Sequence, residues 1–448
     1  MRKRDRFSKL PLPPGSFGIP VIGETVQLVL RDKDFYDERI RRYGDIFKTS
    51  ILGINVIRVI GAENIRTILN GENLIVTSTW PKSTQKLLGA GSLAMSSGVE
   101  HQKRRHVIMR AFTNDALSEY VPTIQEVVCQ YISSWCGETT IVAFVEFRRM
   151  TFEIACKVLL GLNITHEKRD NITEIFETFT ANLFSLPYNI PGLGFHKGLE
   201  ARKKLLEMIR ESLLMRNSYE FSADFHDAMS KLLEIEGRNQ LTRREIEDSV
   251  LELMFAGHGT LTSAIFSLIV QLSKHPHIVE KLATELSEHN LLSDDNVLLD
   301  YETINKCHYA KNVVKEVLRI APPVGAGYRK VIRTFSINGY QIPKGWSVAY
   351  SIRETHQKSK HLRSMEEFDP DRWGQCQTGQ RFSYVPFGGS KNRGCIGKEL
   401  AKLEILIFVV ELIRTSTWKI VNGLPKIKYL PTPHPATKML MTFWRKGN

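Results

Sequence analysis

The sequence predicts a mainly α-helical protein with a minor β region (α+β), and three observations support this fold class. Helical periodicity runs with few interruptions from about residue 62 to residue 320. Short runs rich in Ile and Val occur at 46–60 and 333–350, as expected of small strands. No repeat or low-complexity linker divides the chain, so we expect one domain over residues 21–448, preceded by a basic, proline-rich hinge over residues 1–20.

Further elements follow in chain order. Helical spacing covers residues 24–43, and the stretch 46–60, which a glycine interrupts, predicts a hairpin of two strands. Strands separated by Asn-Gly and Lys-Gly turns are predicted over 333–350. A stretch rich in proline and glycine, 370–397, then leads into an apolar helix that begins near Lys398.

The longest predicted helix lies in the middle of the chain. Thr242 and Glu245 form a capping box, and the helical pattern continues to about His275, where a proline follows. About 34 residues at 1.5 Å each give roughly 50 Å, so this helix must cross the centre of the molecule. Gly257 and Gly259 in its interior indicate either close helix packing or a backbone opened to admit a ligand.

Positive charge exceeds negative charge and is concentrated in three clusters. The chain has 61 Lys and Arg against 48 Asp and Glu, a formal net charge of +13. Most of the excess lies in residues 2–9, 101–112 and 391–402. No zinc-finger, RRM or KH signature accompanies these clusters, so the pattern argues against a nucleic-acid-binding protein and favours local contacts with acidic groups.

Six cysteines are scattered along the chain without paired spacing, which favours a reducing compartment and leaves cysteines free for chemistry. No apolar run approaches the roughly 20 residues of a membrane span. Prolines follow the basic start where a signal peptide would need an apolar stretch. We therefore expect that the chain as written does not span a membrane.

Cys395 is the cysteine whose surroundings point to chemistry. It precedes the predicted helix at Lys398, and the N–H groups and positive dipole end of such a helix stabilise a thiolate. A structural cysteine is more typical of an apolar periodic stretch, as at Cys156. Glycines let a backbone approach a flat ligand closely. Those that flank the cysteine are Gly388, Gly389, Gly394 and Gly397.

The stretch VPFGGSKNRGCIGKELAKLEILIFVVEL resembles the cysteine signature of the cytochrome P450 superfamily, the haem-thiolate monooxygenases. Arg393 and Gly397 match that signature. Lys391 stands where a glycine belongs, and Phe387 lies eight residues before the cysteine and not seven, as though one residue had been inserted. The loop is therefore atypical, and haem affinity and thiolate geometry are the properties it affects.

The resemblance implies the superfamily's fold, with the long central helix lying over a haem. It implies haem b as cofactor, with the Cys395 thiolate as the axial ligand of the iron and electrons supplied from NADPH by a reductase. This thiolate donates electron density to the iron. The positions that match the superfamily's haem contacts are Arg393, His101, Arg105, Phe387 and Gly389.

Two further motifs occur in the order that the superfamily requires. Glu316 and Arg319 match ExxR, in which the i,i+3 spacing places both charges on one helix face. Arg372 completes a match to FxPxR. In the superfamily these three residues form a structural ion network that holds the cysteine loop, whereas each alone would be an ordinary surface pair of little value.

Longer stretches, among them PPGSFGIPVIGETVQLVL, NLFSLP and NGYQIPKGW, are similar to the retinoic-acid-hydroxylating branch of the superfamily. The similarity implies a hydrophobic polyene carboxylate as substrate. Arg58 matches a partner for the substrate carboxylate, and Tyr328 replaces the usual Phe. Aromatic side chains suit a long apolar ligand whose direction one cation fixes. The other positions that match the branch's pocket are Trp80, Phe184, Phe255 and Thr260.

The central helix departs from the superfamily pattern at the residues that relay protons. The pattern has an acid followed by two threonines, whereas here Gly259 replaces the acid, Thr260 is retained and Leu261 replaces the second threonine. Loss of a positioned acid–base group commonly costs about 10²–10⁴-fold in rate. His258 is the remaining candidate for the relay, and the alternative is that it faces away from the haem.

Three functions remain open on the sequence alone. The preferred one is a monooxygenase that hydroxylates retinoic acid or a similar apolar isoprenoid carboxylate with O₂ and reductase-supplied electrons. The missing acid also fits a haem-thiolate isomerase or dehydratase of lipid peroxides, which needs no external electrons. It equally fits a weakly active haem protein that binds a retinoid or another lipid.

The resemblance also implies partners and a location. It implies a monomer served by NADPH-cytochrome P450 reductase, in peripheral contact with the cytoplasmic face of the endoplasmic reticulum membrane and without a nucleic-acid partner. The cluster 2–9, followed by prolines, resembles the basic hinge after a membrane anchor, and we expect the anchor itself to be absent from this chain.

Overall fold

The computed structural model describes residues 4–162, 166–216, 226–234, 240–292, 297–358, 366–375, 382–390 and 392–446. Cys376, Lys391 and the first two residues of the basic cluster 2–9 lie outside this part of the chain.

Helices form most of the structure. In chain order they are Thr25–Arg31 (α1), Lys33–Tyr43 (α2), Ala62–Asn70 (α3), Lys82–Leu88 (α4), Gly98–Ile108 (α5), Asn114–Gly137 (α6), Ala143–Leu160 (α7), His166–Ala181 (α8), Gly194–Arg216 (α9), Ala228–Leu233 (α10), Arg243–Lys274 (α11), Pro276–Glu288 (α12), Tyr301–Lys306 (α13), His308–Ile320 (α14), Arg353–Gln357 (α15), Arg372–Gln375 (α16) and Lys398–Thr415 (α17), with a 3₁₀ turn at Met109–Phe112.

The strands are short and lie mostly near the two ends of the chain. They are Ile46–Ile51 (β1), Ile54–Val59 (β2), Val76–Thr77 (β3), Ile141–Val142 (β4), Ala326–Val331 (β5), Phe335–Ile337 (β6), Tyr340–Ile342 (β7), Ser347–Ser351 (β8), Ser416–Ile420 (β9), Ile427–Lys428 (β10), His434–Pro435 (β11) and Leu440–Arg445 (β12). The predicted fold class, mainly α with a minor β region, is confirmed.

The first predicted helix is divided into two. Residues 24–43 form α1 and α2 with a break at Asp32, whose φ of 49° lies in the left-handed region. The N–H of Asp32 donates to the carbonyl of Leu28 and so completes the last turn of α1. One Asp within a helical pattern gives no strong signal for such a break, because Asp tolerates both a helix and a left-handed turn.

The largest sheet has five strands in the order β1-β2-β8-β5-β3. Strands β1 and β2 form the predicted hairpin, β2 pairs in parallel with β8, and β8 pairs antiparallel with β5. In this register Arg58 on β2 and Tyr328 on β5 both lie opposite Ala349 of the central strand. Two residues that are 270 positions apart in the sequence are thereby placed in one row across the sheet.

The central helix α11 is confirmed almost to the residue. It covers 32 residues, and its capping box is formed, since Thr242 N donates to Glu245 Oε2 at 2.8 Å and Glu245 N donates to Thr242 Oγ1 at 3.3 Å. It packs against α7, α9, α14 and α17. Among the described helices it alone is long and apolar enough to cross a membrane, yet 67% of its most apolar stretch is buried inside the protein.

The proline-rich start of the chain is joined to the sheet region. The Pro11 carbonyl accepts from Gln341 N at 2.9 Å, and the Pro14 carbonyl accepts from Lys48 N at 2.8 Å. The described part of residues 1–20 therefore lies against the strands that follow. Its role as a separate hinge stays a prediction.

Candidate functional site

The Cys395 loop is a tight turn that requires glycine. Cys395 N donates to the carbonyl of Phe387 at 2.9 Å, and Gly394 N donates to that of Ser390 at 2.9 Å. Gly388 has a φ of 73°, which favours glycine. A Cβ at Gly394 would lie 2.6 Å from the Ser390 oxygen. Glycine at these positions therefore lets the backbone of the loop fold closely on itself.

The Cys395 thiol lies in a recess. Of the five described cysteines it alone is exposed, yet surrounding protein is extensive enough that burial raises its pKa. The N–H of Gly397 and the cations of Arg105 and Lys398 act in the opposite direction without cancelling this effect. Burial therefore outweighs these stabilising contacts, and a bound metal ion, which deprotonates a coordinating thiol, would supply the ionisation.

Cations cluster beside this recess. Arg105 donates to the carbonyl of Gly394 at 2.9 Å, and Arg393 donates to that of Ser96 at 3.0 Å. Glu72 lies between two guanidinium groups, 3.5 Å from Arg393 Nε and 2.7 Å from Arg329 Nε. Among the described residues, Glu72 is the carboxylate that pairs with Arg393 and Arg329, and Arg105 forms no ion pair, so positive charge is in excess here.

His101 completes this cluster without adding charge. It is buried, and desolvation, then the nearby Arg393 and Arg105, lower its pKa to about 4. The imidazole is therefore neutral at physiological pH and offers a hydrogen bond and no charge. An accessible thiol beside an excess of positive charge is the arrangement that an iron porphyrin with two propionates requires, so these residues fit haem.

One side of the central helix is open. Ala256 is exposed in the middle of this largely buried helix, and Thr260, one turn later, is half-buried. A Cβ added at Gly257 or Gly259 would meet nothing within 4 Å. Close helix packing is therefore the wrong explanation of these two glycines. We call this side, with Ala256, Gly257, Gly259 and Thr260, the open face.

His258 lies on the other side of the helix. Each residue advances by about 100° around the axis, so His258 points away from both Ala256 and Thr260. Its Nε2 is 3.0 Å from the carbonyl oxygen of Arg148, and its ring packs edge-on against Phe152 and Phe176. Burial lowers its pKa to about 4. The hypothesis that His258 relays protons to the open face is not supported, because its ring is held in the core.

The predicted ion network is formed and fully buried. Glu316 and Arg319 are each 0% exposed, and Arg319 donates from Nε and Nη2 to the two Glu316 oxygens at 2.9 and 2.8 Å. Arg372 Nε donates to the same carboxylate at 2.9 Å. Trp373 Nε1 adds a further hydrogen bond at 3.0 Å, which the sequence did not indicate. This network fixes the segment before the cysteine loop to α14.

Arg58 is buried in a cluster of charged and phenolic groups. It is 3% exposed, its Nη2 lies 3.1 Å from Glu354 Oε2, and its guanidinium stacks 3.6 Å from the Tyr36 ring centroid. Arg353 binds the other Glu354 oxygen at 2.7 Å. Burial acts to raise the pKa of Glu354, but Arg58 and Arg353 lower it to about 2. Two cations therefore share one ionised carboxylate.

Tyr328 connects this cluster with solvent. It is 43% exposed and interacts electrostatically with Tyr36 and Arg58 of the cluster. The sequence pattern selected Arg58 and Tyr328 but missed Glu354 and Arg353. Nothing local in the sequence marks those two residues, because the parallel pairing of β2 with β8 brings them to Arg58.

The aromatic pocket candidates lie at different depths. Trp80 and Phe255 are half-buried, whereas Phe184 is 53% exposed. Ser83 and Thr84 both donate to the carbonyl of Leu183, at 2.9 and 2.7 Å. This pair of bonds fastens the segment after Trp80 to the segment that carries Phe184. Their contacts with a substrate stay a prediction.

Comparisons with known proteins agree with this geometry. The sequence profile described as Cytochrome P450 matches residues 13–441. The chain is 41% identical over 451 residues to cytochrome P450 26B1 of Xenopus tropicalis, covering 98% of this chain and 88% of that one. The human cytochrome P450 26B1 is 39% identical with the same coverage, and cytochrome P450 26A1 of Gallus gallus is 40% identical, with 98% and 92% covered.

A solved structure shows the same fold. It is described as retinoic acid bound cyanobacterial CYP120A1, and it superposes with a TM-score of 0.88 at 34% identity, covering 98% of this chain and 100% of that one. Members of this family are monooxygenases that hold haem through a cysteine thiolate and receive electrons from a redox partner. The match of profile, relatives and fold over nearly the whole length establishes that this chain belongs to the cytochrome P450 family.

Proposed function

We propose that this protein hydroxylates retinoic acid or a similar apolar isoprenoid carboxylate, with haem b bound through Cys395. The observation that carries the proposal is the accessible thiol in a recess beside an excess of arginines. Haem bound there would supply O₂ activation and transfer of one oxygen atom to a C–H bond. The names of the relatives and of the retinoic acid-bound neighbour support the substrate class.

The residues around the recess have separate tasks in this proposal. Cys395 supplies the thiolate, and Arg105 and Arg393 supply the charges that pair with propionates. His101 adds a neutral hydrogen-bonding ring. Thr260 Oγ1 donates to the carbonyl of Ala256 at 2.7 Å, so the hydroxyl proton is engaged and the oxygen can still accept a hydrogen bond. The neighbour of Thr260 in the chain is Gly259, so position 259 offers no acid to replenish protons.

The buried cluster around Arg58 supports recognition of a carboxylate. Arg58 and Arg353 together exceed Glu354 by one positive charge, and among the described residues the Nε of each arginine has no hydrogen-bond partner. A buried cation in excess attracts an anionic ligand group because little solvent screens it. Tyr328, half-exposed above the cluster, would add a hydroxyl to the carboxylate end of the pocket.

Replacing Arg58 by methionine should weaken the binding of all-trans retinoic acid by about 10–100-fold, the range for loss of a charge-assisted hydrogen bond. Arg353 continues to neutralise Glu354 in this variant, so the fold should be retained. Retinol, which has no carboxylate, serves as the control ligand and should lose less than about threefold. The measurement is the ligand-induced shift of the haem spectrum, titrated for both ligands and both proteins.

Two results would contradict the proposed substrate class. One is a wild-type haem spectrum that does not respond to retinoic acid. The other is an equal loss of retinoic acid and retinol binding in Arg58→Met. Turnover must also depend on NADPH and on NADPH-cytochrome P450 reductase, the electron donor that we propose. Rearrangement of a lipid peroxide without reductase would favour the isomerase instead, an alternative that the replacement of the relay acid by Gly259 keeps open.

We further propose peripheral contact with the cytoplasmic face of the endoplasmic reticulum membrane. An exposed apolar patch lies where α1 meets the tip of the β1–β2 hairpin, because Leu52 N donates to Thr25 Oγ1 at 2.7 Å. Exposed apolar patches of this kind mark sites of membrane or protein contact. The patch consists of Val21 (82% exposed), Val26 (54%), Val29 (70%), Leu30 (80%), Leu52 (60%) and Ile54 (52%).

Replacing Val29 and Leu30 together by aspartate should lower vesicle binding by more than about tenfold, because each buried aliphatic side chain is worth roughly 1.5–3 kcal/mol. Binding is measured by sedimentation with vesicles of phosphatidylcholine and phosphatidylserine. Leu298→Asp is the matched control, since Leu298 is 84% exposed and lies outside the patch. If the control loses as much binding as the double variant, the patch is not the contact surface.

A further inference from the structure

Acidic side chains of the central helix bind the main chain of a neighbouring segment. Glu252 accepts from two successive amides, Leu93 N at 2.5 Å and Ala94 N at 2.9 Å. One turn earlier, Asp248 accepts from Gly91 N at 2.9 Å. Both acids lie on the same side of α11 as the open face, given about 100° per residue. We call residues 89–97 the seated segment.

The seated segment is built for this close approach. Gly89 has a φ of 91°, and a Cβ there would lie 2.3 Å from the Asp248 carboxylate. A Cβ at Gly91 would lie 2.9 Å from both that carboxylate and the Glu245 Cα. Arg104 on α5 adds bonds to the carbonyls of Ala90 and Ser92 at 2.9 and 3.2 Å. Side chains from α11 and α5 therefore hold the first half of the segment in place.

The second half of the segment reaches the candidate haem site. The carbonyl of Ser96 accepts from Arg393 Nη2 at 3.0 Å, and that of Ser97 accepts from His101 N at 3.3 Å. Arg393 is two residues before Cys395, and His101 belongs to the cation cluster. A displacement of the segment from Glu252 would therefore move groups on the haem side of the molecule.

We infer that Glu252 is a positioning residue, which seats residues 89–97 on the central helix and through Ser96 holds Arg393 beside Cys395. Eight residues separate Glu252 from Thr260, about 12 Å along the helix axis, and both of its oxygens are occupied by amides. Glu252 therefore acts through the segment and does not itself reach the open face at Thr260. The inference rests on the proposed haem site but not on the proposed substrate.

The electrostatics of Glu252 give this role a pH signature. Burial raises its pKa to about 7 from an ordinary 4.5, although the amides of Ala94 and Leu93 and the cation of Arg104 oppose the shift. The Asp248 carboxylate raises the pKa of Glu252 further, and Arg393 of the cysteine loop is close enough to interact with Glu252. These neighbours pair in turn with further charges. The pairs are Arg104 with Glu245, Asp248 with Arg202 of α9, and Arg393 with Glu72.

The sign of the pH effect follows from linkage. If Glu252 becomes solvated when the segment leaves the helix, its pKa falls toward the ordinary value. The seated form then binds the proton more tightly than the released form, so acidification favours seating. Raising the pH from the ordinary 4.5 to about 7 should therefore favour release of the segment, with no further effect above about 7, and this step should disappear when residue 252 cannot ionise.

The test is amide hydrogen exchange of residues 89–97 in the haem-loaded protein, corrected for the intrinsic pH dependence of exchange. In Glu252→Ala, exchange in this segment should rise by about tenfold or more, because two partly buried amides lose their acceptor. Transfer of haem to apomyoglobin should become several-fold faster. In the wild type, exchange should increase between pH 5 and about 7 and then level off, and in Glu252→Gln that increase should be absent.

Glu247→Gln is the matched control. Glu247 is also buried on α11 but lies on the opposite side, paired with Arg210 at 2.9 Å. It should change neither exchange in residues 89–97 nor haem transfer. The inference is overturned if Glu252→Ala behaves like this control, or if the pH step persists in Glu252→Gln. Both readouts are independent of retinoic acid, so they can fail or succeed whatever the substrate proves to be.

Discussion

Replacing Cys395 by serine should abolish the thiolate-type Soret band of the reduced carbonyl complex and lower reductase-dependent turnover by more than about 100-fold. Loss of a partner that merely orients a metal ligand already costs about 10–100-fold, and Cys395 is the proposed ligand itself. A serine hydroxyl is a poor substitute, because the soft thiolate is the donor that favours O–O bond cleavage by haem iron.

The other four described cysteines are buried or partly buried, unlike Cys395. Cys156 and Cys307 are buried in the core, and burial raises the pKa of both thiols. Cys136, which is only partly buried, therefore provides the control variant Cys136→Ser. Spectra and turnover should be unchanged in that variant. A thiolate-type band that survives in Cys395→Ser would show that the haem is held elsewhere.

Predictions that rest on local patterns agree with the structure most closely. The capping box at Thr242 and the helix that it begins are confirmed because both signals lie within one or two turns of the chain. The spacing of Glu316 and Arg319 likewise places both charges on one face, and the structure shows them paired. The residue spacing within such motifs determines their geometry, so they can be predicted from the sequence.

Features that depend on distant pairing could not be predicted from the sequence. Arg58 was expected to meet a substrate carboxylate, and the structure adds that it already pairs with Glu354, 296 positions away. This contact depends on the parallel register of β2 and β8, which no short pattern encodes. Glu252 was missed for a similar reason. Glu252 is four residues before Ala256, so it lies on the open side of α11. The seated segment that it binds, however, belongs to a distant part of the sequence.

The direction in which a side chain points can be assigned only when the packing of its helix is known. His258 is adjacent to Gly259 in the sequence, and this adjacency made it a candidate for the proton relay. Successive helical positions differ by about 100°, so adjacency along the chain is not proximity in the site. The bond from His258 to the carbonyl of Arg148 and its contacts with two phenylalanine rings fix the direction away from Thr260.

Replacing Gly259 by glutamate should therefore raise turnover, by about 10²-fold at the lower end of what a positioned acid–base group contributes. Residue 259 lies on the open face beside Thr260, and a Cβ there would meet nothing within 4 Å. Glutamate also favours a helix over glycine by several tenths of a kcal/mol, so the change should not destabilise α11. The measurement is kcat for retinoic acid with saturating reductase, together with the solvent deuterium isotope effect.

Two controls separate proton supply from helix stiffening. Gly259→Ala gives the helix propensity without an acid, and Gly259→Gln gives the shape of glutamate without an ionisable proton. Only Gly259→Glu should raise kcat, and its solvent isotope effect should change because a carboxyl group and not solvent then delivers protons to the open face. If all three variants stay at the wild-type rate, proton delivery is not what limits this protein. Binding and sequestration of the ligand, or peroxide rearrangement without external protons, would then describe its task better than hydroxylation.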